Sequence, residues 1–179
     1  MDKFLNSLPD EKSHFLAADI LTLARDKHIM LVTAESCTGG RIIGTLTDIP
    51  GSSDVIDRGF ITYSNKAKMD MLNVPSYMIK AHGAVSQAVA ISMAEGACRN
   101  SQYEDDDGIM AISVTGIAGP GGGSIEKPVG TVWFGLTLIH KSQKNTISWV
   151  EHFKGQRVDI RQATIDTALT HIRDQLLAI

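Results

Sequence analysis

The sequence predicts an α/β protein: a three-layer α/β/α sandwich around a mixed, mostly parallel sheet of about five strands. Three observations lead there. Five β-leaning runs (29–33, 55–63, 108–115, 131–140 and 146–153) are interleaved with stretches of helical apolar spacing. Gly108-Ile-Met-Ala-Ile-Ser-Val-Thr115 is almost continuously apolar, as expected of a strand covered on both faces. The last two runs bracket Ser142-Gln-Lys-Asn145 and read as a β-hairpin, which makes the sheet mixed. With 179 residues, 43% hydrophobic and 21% charged, one globular domain over 1–179 is expected.

Taken in order, residues 1–12 read as a polar lead-in. Ser13 is suited to cap a helix running to about Lys27, with Leu16, Ile20, Leu23 and Ala24 as its buried stripe. The strand Ile29–Thr33 runs into Ala34-Glu-Ser-Cys-Thr-Gly-Gly40 and a helix over Arg41–Thr47. Proline and glycine in Asp48-Ile-Pro-Gly-Ser-Ser53 mark a turn. Val55–Tyr63 is β-branched and aromatic, and Gly59 within it suggests a bulge. Ser64-Asn65 caps a helix through Leu72; the stretch to Gly83 is irregular or briefly helical. Ser86 caps the alanine-rich helix Gln87–Arg99. An acidic connection, Ser101–Asp107, leads to the apolar strand, and a glycine-rich loop follows over 116–128. After the hairpin, a helix over Arg157–Leu177 buries Ile165, Leu169, Ile172 and Leu176.

Composition excludes several classes. A formal charge of −3 and the lack of a basic run argue against direct nucleic-acid binding. Cys37 and Cys98 stand far apart without C-x-x-C spacing, so neither a zinc site nor a disulfide framework is expected. No run approaches the ~20 apolar residues of a membrane span, and no signal-peptide core is present. A cytoplasmic protein with no membrane contact is the expectation.

The stretch from Leu31 to Gly40 carries the strongest chemical signal. A strand feeding a glycine turn and a helix gathers backbone N–H groups and small hydroxyls at a helix start, suited to an anion or a developing oxyanion. Ser36, Cys37 and Thr38 are potential nucleophiles there, with Gly39 and Gly40 beside them. A serine needs a base. None of the six histidines has catalytic or metal-ligand spacing, and only His82 adjoins a glycine turn. The other base for serine is a lysine with a depressed pKa. In Tyr63-Ser-Asn-Lys-Ala-Lys68 a helix starting at Ser64 puts Lys68 on the face of Ser64 and Lys66 elsewhere. Tyr63 can hydrogen-bond a substrate or relay a proton. Thr115-Gly-Ile-Ala-Gly-Pro120 ends a buried strand, where ligands gather in such sheets. Arg157 and Arg161, one turn apart at a helix start, suit a phosphate. A thiolate at a helix N-terminus is activated, so the residues themselves leave Ser36 and Cys37 both open.

Six ordered motifs closely resemble the CinA C-terminal-domain family over about Phe15 to Leu177. They are Ala34-Glu-Ser-Cys-Thr-Gly-Gly40, Gly59-Phe-Ile-Thr-Tyr-Ser-Asn65 with Lys68, and His82-Gly-Ala-Val-Ser86. Thr115–Pro120, Lys127-Pro-Val-Gly-Thr-Val-Trp133 and Phe153-Lys-Gly-Gln-Arg157 complete the set. Departures are small: extra glycine in Gly121-Gly-Gly-Ser124, and Lys66 where an acidic residue is common. The resemblance implies a metal-free, cofactor-free amidohydrolase that converts nicotinamide mononucleotide to nicotinate mononucleotide and ammonia in pyridine-nucleotide salvage. It implies Ser36 as nucleophile, Lys68 as general base and Tyr63 assisting, which lifts Ser36 above Cys37. Backbone groups near Thr38 to Gly40 would hold the oxyanion. Asn65, Thr115 and Gly116 would line the pocket, with Arg157 or Arg161 at the 5′-phosphate. It also implies a homodimer or higher homo-oligomer. A catalytically silent nucleotide-binding module is the alternative. The family name points to competence and DNA damage, yet nothing in the sequence supports direct DNA contact.

Overall fold

The computed structural model describes residues 11–101 and 108–179. Its elements in chain order are α1 (Glu11–Asp26), β1 (Ile29–Glu35), α2 (Arg41–Thr47), β2 (Ile56–Ile61), α3 (Asn65–Leu72) and α4 (Ser76–His82). They continue with α5 (Gln87–Arg99), β3 (Gly108–Gly116), β4 (Thr131–His140), β5 (Gln143–His152) and α6 (Arg157–Leu177). The sheet order is β2-β1-β3-β4-β5. Strand β1 runs parallel to β2 and β3, whereas β3–β4 and β4–β5 are antiparallel. The expected mixed five-stranded sheet forms, with parallel and antiparallel pairings in equal number.

Period-2 alternation sends the strands' side chains to two cores. On one face Ile29, Leu31, Met110, Ile112 and Val114 pack with Ile20, Leu21 and Ala24 of α1, Ile42 and Leu46 of α2, and Ile165, Leu169 and Ile172 of α6. On the other, Val32, Ala34, Ile109 and Ala111 meet Leu72 of α3 and Val89, Met93 and Ala97 of α5. Strands β1 and β3 are therefore covered on both sides, which is why they read as continuous apolar runs. Close approach on the second face needs glycine: a Cβ on Gly96 of α5 would stand 2.2 Å from the Leu72 carbonyl oxygen. That contact seats α3 against α5.

Several expectations are refined. Ser13 is no cap; α1 begins at Glu11, and the buried Ser13 hydroxyl donates to Asp166 of α6 at 2.6 Å. Residues 1–10 of the lead-in, and 102–107 of the acidic connection, lie outside the described residues. The β2 irregularity falls at Asp57 rather than Gly59, since Leu31 pairs with Ile56 and Val32 with Arg58. Gly59 is instead a small residue under Ile43, whose Cβ would be 3.1 Å from a Cβ placed there. The stretch after Leu72 contains the helical turns of α4. The hairpin loop is shorter than expected. Lys141 (φ 50°) and Ser142 (φ 61°) form a two-residue turn of the left-handed kind that matches strand twist, so β5 starts at Gln143.

Candidate active site

Strand β1 ends in Glu35, whose carboxylate is fully buried under the start of α2. One oxygen accepts from the Gly40 amide at 2.9 Å, the Ile42 amide at 3.1 Å and the Thr38 hydroxyl at 2.7 Å. The other accepts from the Ile43 amide at 2.8 Å and the Thr33 hydroxyl at 3.2 Å. The anion expected at this helix start is therefore the protein's own. The amides of Gly39 and Gly40, expected to face a substrate oxyanion, are otherwise engaged: Gly40 donates to Glu35, and Gly39 to the Ser36 carbonyl at 3.2 Å. Glu35 escaped the sequence reading of the site, although a carboxylate before a glycine turn at a helix N-terminus is the signal for such an internal cap.

Ser36 follows Glu35, with its amide donating to Val114 of β3 at 3.1 Å. On β2 the Thr62 amide donates to the Glu35 carbonyl at 2.8 Å, extending the parallel ladder one rung beyond the strand. The chain then turns into α3, which Ser64 caps by accepting from the Ala67 amide. One turn into that helix, Lys68 points back at the ladder's end. Its Nζ donates to the Ser36 Oγ at 3.0 Å and to the Thr62 carbonyl at 2.8 Å. Lys68 is 1% exposed, whereas Lys66, on another face of the same helix, pairs with Asp70 in solvent. Burial lowers the Lys68 pKa from 10.5 to about 8; the neighbouring Cys37 acts weakly the other way. A deprotonated Lys68 can take the Ser36 proton.

Cys37 behaves differently from an activated thiol. Burial pushes it up to about 11, its own backbone N–H pulls slightly down, and Glu35 raises it further. The helix N-terminus that would favour a thiolate is occupied by a carboxylate.

A cleft of about 190 Å³ opens over Ser36 and Lys68. Tyr63, Asn65, Thr115, Gly116 and Arg157, all singled out in the sequence, line it with them. Thr115 is buried and its hydroxyl donates to the Ala84 carbonyl at 2.9 Å, drawing the segment before α5 into the wall. Ala84, Val85 and Ala118 line the cleft too. The His82–Ser86 motif marked that segment; small apolar side chains gave no chemical signal of their own. Arg157 donates to the Gly119 carbonyl at 2.8 Å and to the Tyr63 hydroxyl at 3.1 Å. Arg161 stands apart from the cleft lining, donating to the Cys37 carbonyl at 3.1 Å and the Thr38 carbonyl at 2.7 Å. Among the described residues no histidine lines the cleft, and no group of three or more His, Cys, Asp or Glu is placed to hold a metal ion. No described helix is long and apolar enough to cross a membrane.

A nicotinamide-nucleotide amidohydrolase PncC of Shigella flexneri is 44% identical over 147 residues, covering 82% of this chain and 84% of that protein. A CinA-like protein of Syntrophobacter fumaroxidans is 48% identical over 145 residues, 81% of this chain. The chain spans about a third of the length of several relatives of this second kind, 32% in that case. Among solved structures, the competence/damage inducible protein CihA of Agrobacterium tumefaciens superposes with a TM-score of 0.84 at 44% identity, covering 95% of this chain and 98% of that one. The family described as CinA C-terminal domain matches residues 13–176, and the chain belongs to that family.

Proposed function

We propose that this protein is a nicotinamide-nucleotide amidohydrolase that releases ammonia from nicotinamide mononucleotide through an acyl-enzyme on Ser36, in pyridine-nucleotide salvage. The observation that carries the chemistry is the 3.0 Å bond between Lys68 Nζ and Ser36 Oγ, made by a lysine that burial brings to a pKa of about 8. The substrate class rests on the similarity to the PncC proteins.

Neutral Lys68 accepts the Ser36 proton as Oγ attacks the carboxamide carbon, forming the C–O bond and placing negative charge on the former carbonyl oxygen. Backbone N–H beside Ser36 stabilises that charge; with Gly39 and Gly40 engaged and Thr38 outside the cleft, the Cys37 N–H is the donor. The protonated Lys68 returns its proton to the departing nitrogen, the C–N bond breaks and ammonia leaves. Water, deprotonated by Lys68, then attacks the acyl carbon and frees Ser36 and the nicotinate product. Tyr63 and Arg157, bonded to each other at 3.1 Å, sit at the rim where the ribose phosphate of a nucleotide would lie. Arg157 is the phosphate ligand in this reading. No metal or organic cofactor takes part in any of these steps.

The test is ammonia release from nicotinamide mononucleotide by the purified protein in the presence of chelator, beside Ser36→Ala. Release by the wild type and none by the variant is the expected result. Release by both would overturn the serine mechanism. Release by neither, with nucleotide binding seen by calorimetry, would make the chain a silent nucleotide-binding module.

A further inference from the structure

Arg161 is bonded to the turn that follows Ser36, yet the reaction above leaves it without a task. Resting on the Ser36 amidase reading, we propose that Arg161 is a positioning residue. It fixes the carbonyls of Cys37 and Thr38, and with them the Gly39 amide that pins the Ser36 carbonyl, so that the Cys37 amide faces the developing oxyanion; it does not bind the substrate.

The argument begins with peptide geometry. In a trans peptide the C=O of one residue and the N–H of the next point in opposite directions. Arg161 Nε holds the Cys37 carbonyl at 3.1 Å and Nη2 holds the Thr38 carbonyl at 2.7 Å. The Thr38 and Gly39 N–H groups are thereby turned away from α6. For Gly39 the consequence is visible, since its amide donates to the Ser36 carbonyl at 3.2 Å. Among the described residues the Thr38 amide donates to no protein acceptor and the Cys37 amide meets only its own sulfur, although Thr38 is fully buried and Cys37 nearly so. Buried amides without a partner are rare in folded proteins. Of the two, only Cys37 lines the cleft over Ser36 and Lys68, so its amide is the donor held for a ligand atom.

Glu35 and Arg161 grip this turn from opposite polarities. The carboxylate takes N–H groups of Gly40, Ile42 and Ile43; the guanidinium takes C=O groups of Cys37 and Thr38. What remains for a ligand at the cleft is the Cys37 amide, next to the nucleophile. Arg161 also packs closely over the turn: a Cβ on Gly39 would stand 3.6 Å from its Nη2. Arg157, one helical turn earlier, lines the cleft whereas Arg161 does not. Arg157 keeps a place at the cleft beside its bond to Gly119, whereas both Arg161 bonds go to the turn after Ser36.

The experiment measures kcat and KM of Arg161→Ala, Arg161→Lys and Arg157→Ala on nicotinamide mononucleotide and on its dephosphorylated nucleoside. For Arg161→Ala the expected result is a kcat lower by ~100-fold or more, the size of effect seen when an oxyanion donor is lost. Its KM should change by less than about threefold, with the same fractional loss in kcat on the nucleoside, because a positioning role is blind to the phosphate. Arg161→Lys should recover only part, since an ammonium lacks the planar fork that spans two carbonyls. Should Arg161→Ala fail to fold, Arg161→Lys carries the same comparison. A loss expressed in KM that vanishes on the nucleoside would make Arg161 a phosphate ligand and overturn the proposal; so would an unchanged kcat.

A second readout needs no knowledge of the substrate. Phenylmethanesulfonyl fluoride forms an Oγ–S bond with an activated serine as the S–F bond breaks, fluoride leaves and the proton passes to the base. Intact-mass measurement of that rate on Ser36 should fall at least ~10-fold in Arg161→Ala if the turn loses its shape. Unchanged labelling overturns the proposal. If the wild type labels at Ser36 but releases no ammonia, the amidase reading falls while the labelling rates still decide the role of Arg161.

Discussion

Replacing Lys68 by methionine keeps the length of the side chain and removes its titrating group, so stability against pH reports directly on the state of this lysine. In the folded protein the Lys68 pKa is about 8 against an ordinary 10.5. That difference corresponds to about 3 kcal/mol disfavouring the ammonium form in place. The folded pKa is the depressed one, so the unfolded chain binds the extra proton between the two values. Wild-type stability therefore rises with pH from about 8 to 10.5 and falls back as pH drops through 8. Methionine removes the penalty and also the bonds to Ser36 Oγ and the Thr62 carbonyl, worth roughly 1 kcal/mol each. At pH 7 the variant should be roughly 1 kcal/mol more stable than wild type, and near pH 10.5 roughly 2 kcal/mol less stable. Cys37, pushed up to about 11, titrates above most of this window in either protein. Urea unfolding followed by circular dichroism at half-unit pH steps measures the difference. A stability difference that stays flat across the window would refute the depressed lysine and the general base with it. The companion signature is a kcat/KM that rises with pH through about 8 and then levels, absent in the methionine variant.

Cys37→Ala should keep most of the turnover, within about threefold, since a thiol pushed up to about 11 supplies almost no thiolate; a dead Cys37→Ala beside an active Ser36→Ala would reverse the nucleophile. Glu35→Gln places an amide NH2 among five donors and should cost about 3 kcal/mol or more in unfolding free energy, with turnover lost alongside. Gly96→Ala adds a Cβ 2.2 Å from the Leu72 carbonyl, and a net loss of roughly 1–3 kcal/mol is expected despite the better helix propensity. Because α3 carries Lys68, that variant should also lose activity, read as a lower kcat in the ammonia assay.

Much of the fold was legible because its cores are written as periodicity. Strand β3 and helix α6 match their apolar patterns nearly residue for residue, and the caps at Ser64 and Ser86 form where the sequence places them. Ser13 misled because a helix start and a buried serine paired with a distant acid look alike locally; Asp166 is 153 positions away. The hairpin turn misled because Lys141 and Ser142 lack the glycine or asparagine usual at positive φ. At the site, Ser36, Lys68, Tyr63, Asn65, Thr115, Gly116 and Arg157 converge on one cleft as the motifs suggested. The division of labour between Arg157 and Arg161 was not legible. Residues four apart share a helical face, and only the cleft's depth decides which reaches ligand space and which meets the backbone of a neighbouring turn. Glu35 was hidden for a similar reason, since three of its five donors are main-chain amides that any sequence supplies.

Ser36 and the Thr62 carbonyl that anchors Lys68 sit at the ends of neighbouring parallel strands, tied by the Thr62–Glu35 rung. The spacing of Ser36 and Lys68 is thus inherited from the sheet rather than from a loop. Ala84, Val85 and Ala118, which also line the cleft, sit on connecting segments. On the proposed amidase reading, chemistry and selectivity are separable: insertions or side-chain changes on these segments would retune which carboxamide is admitted while Ser36 and Lys68 keep their registration. Members of such a lineage would diverge in appetite long before they diverge in reaction, and directed evolution toward new amides should begin at positions 84, 85 and 118.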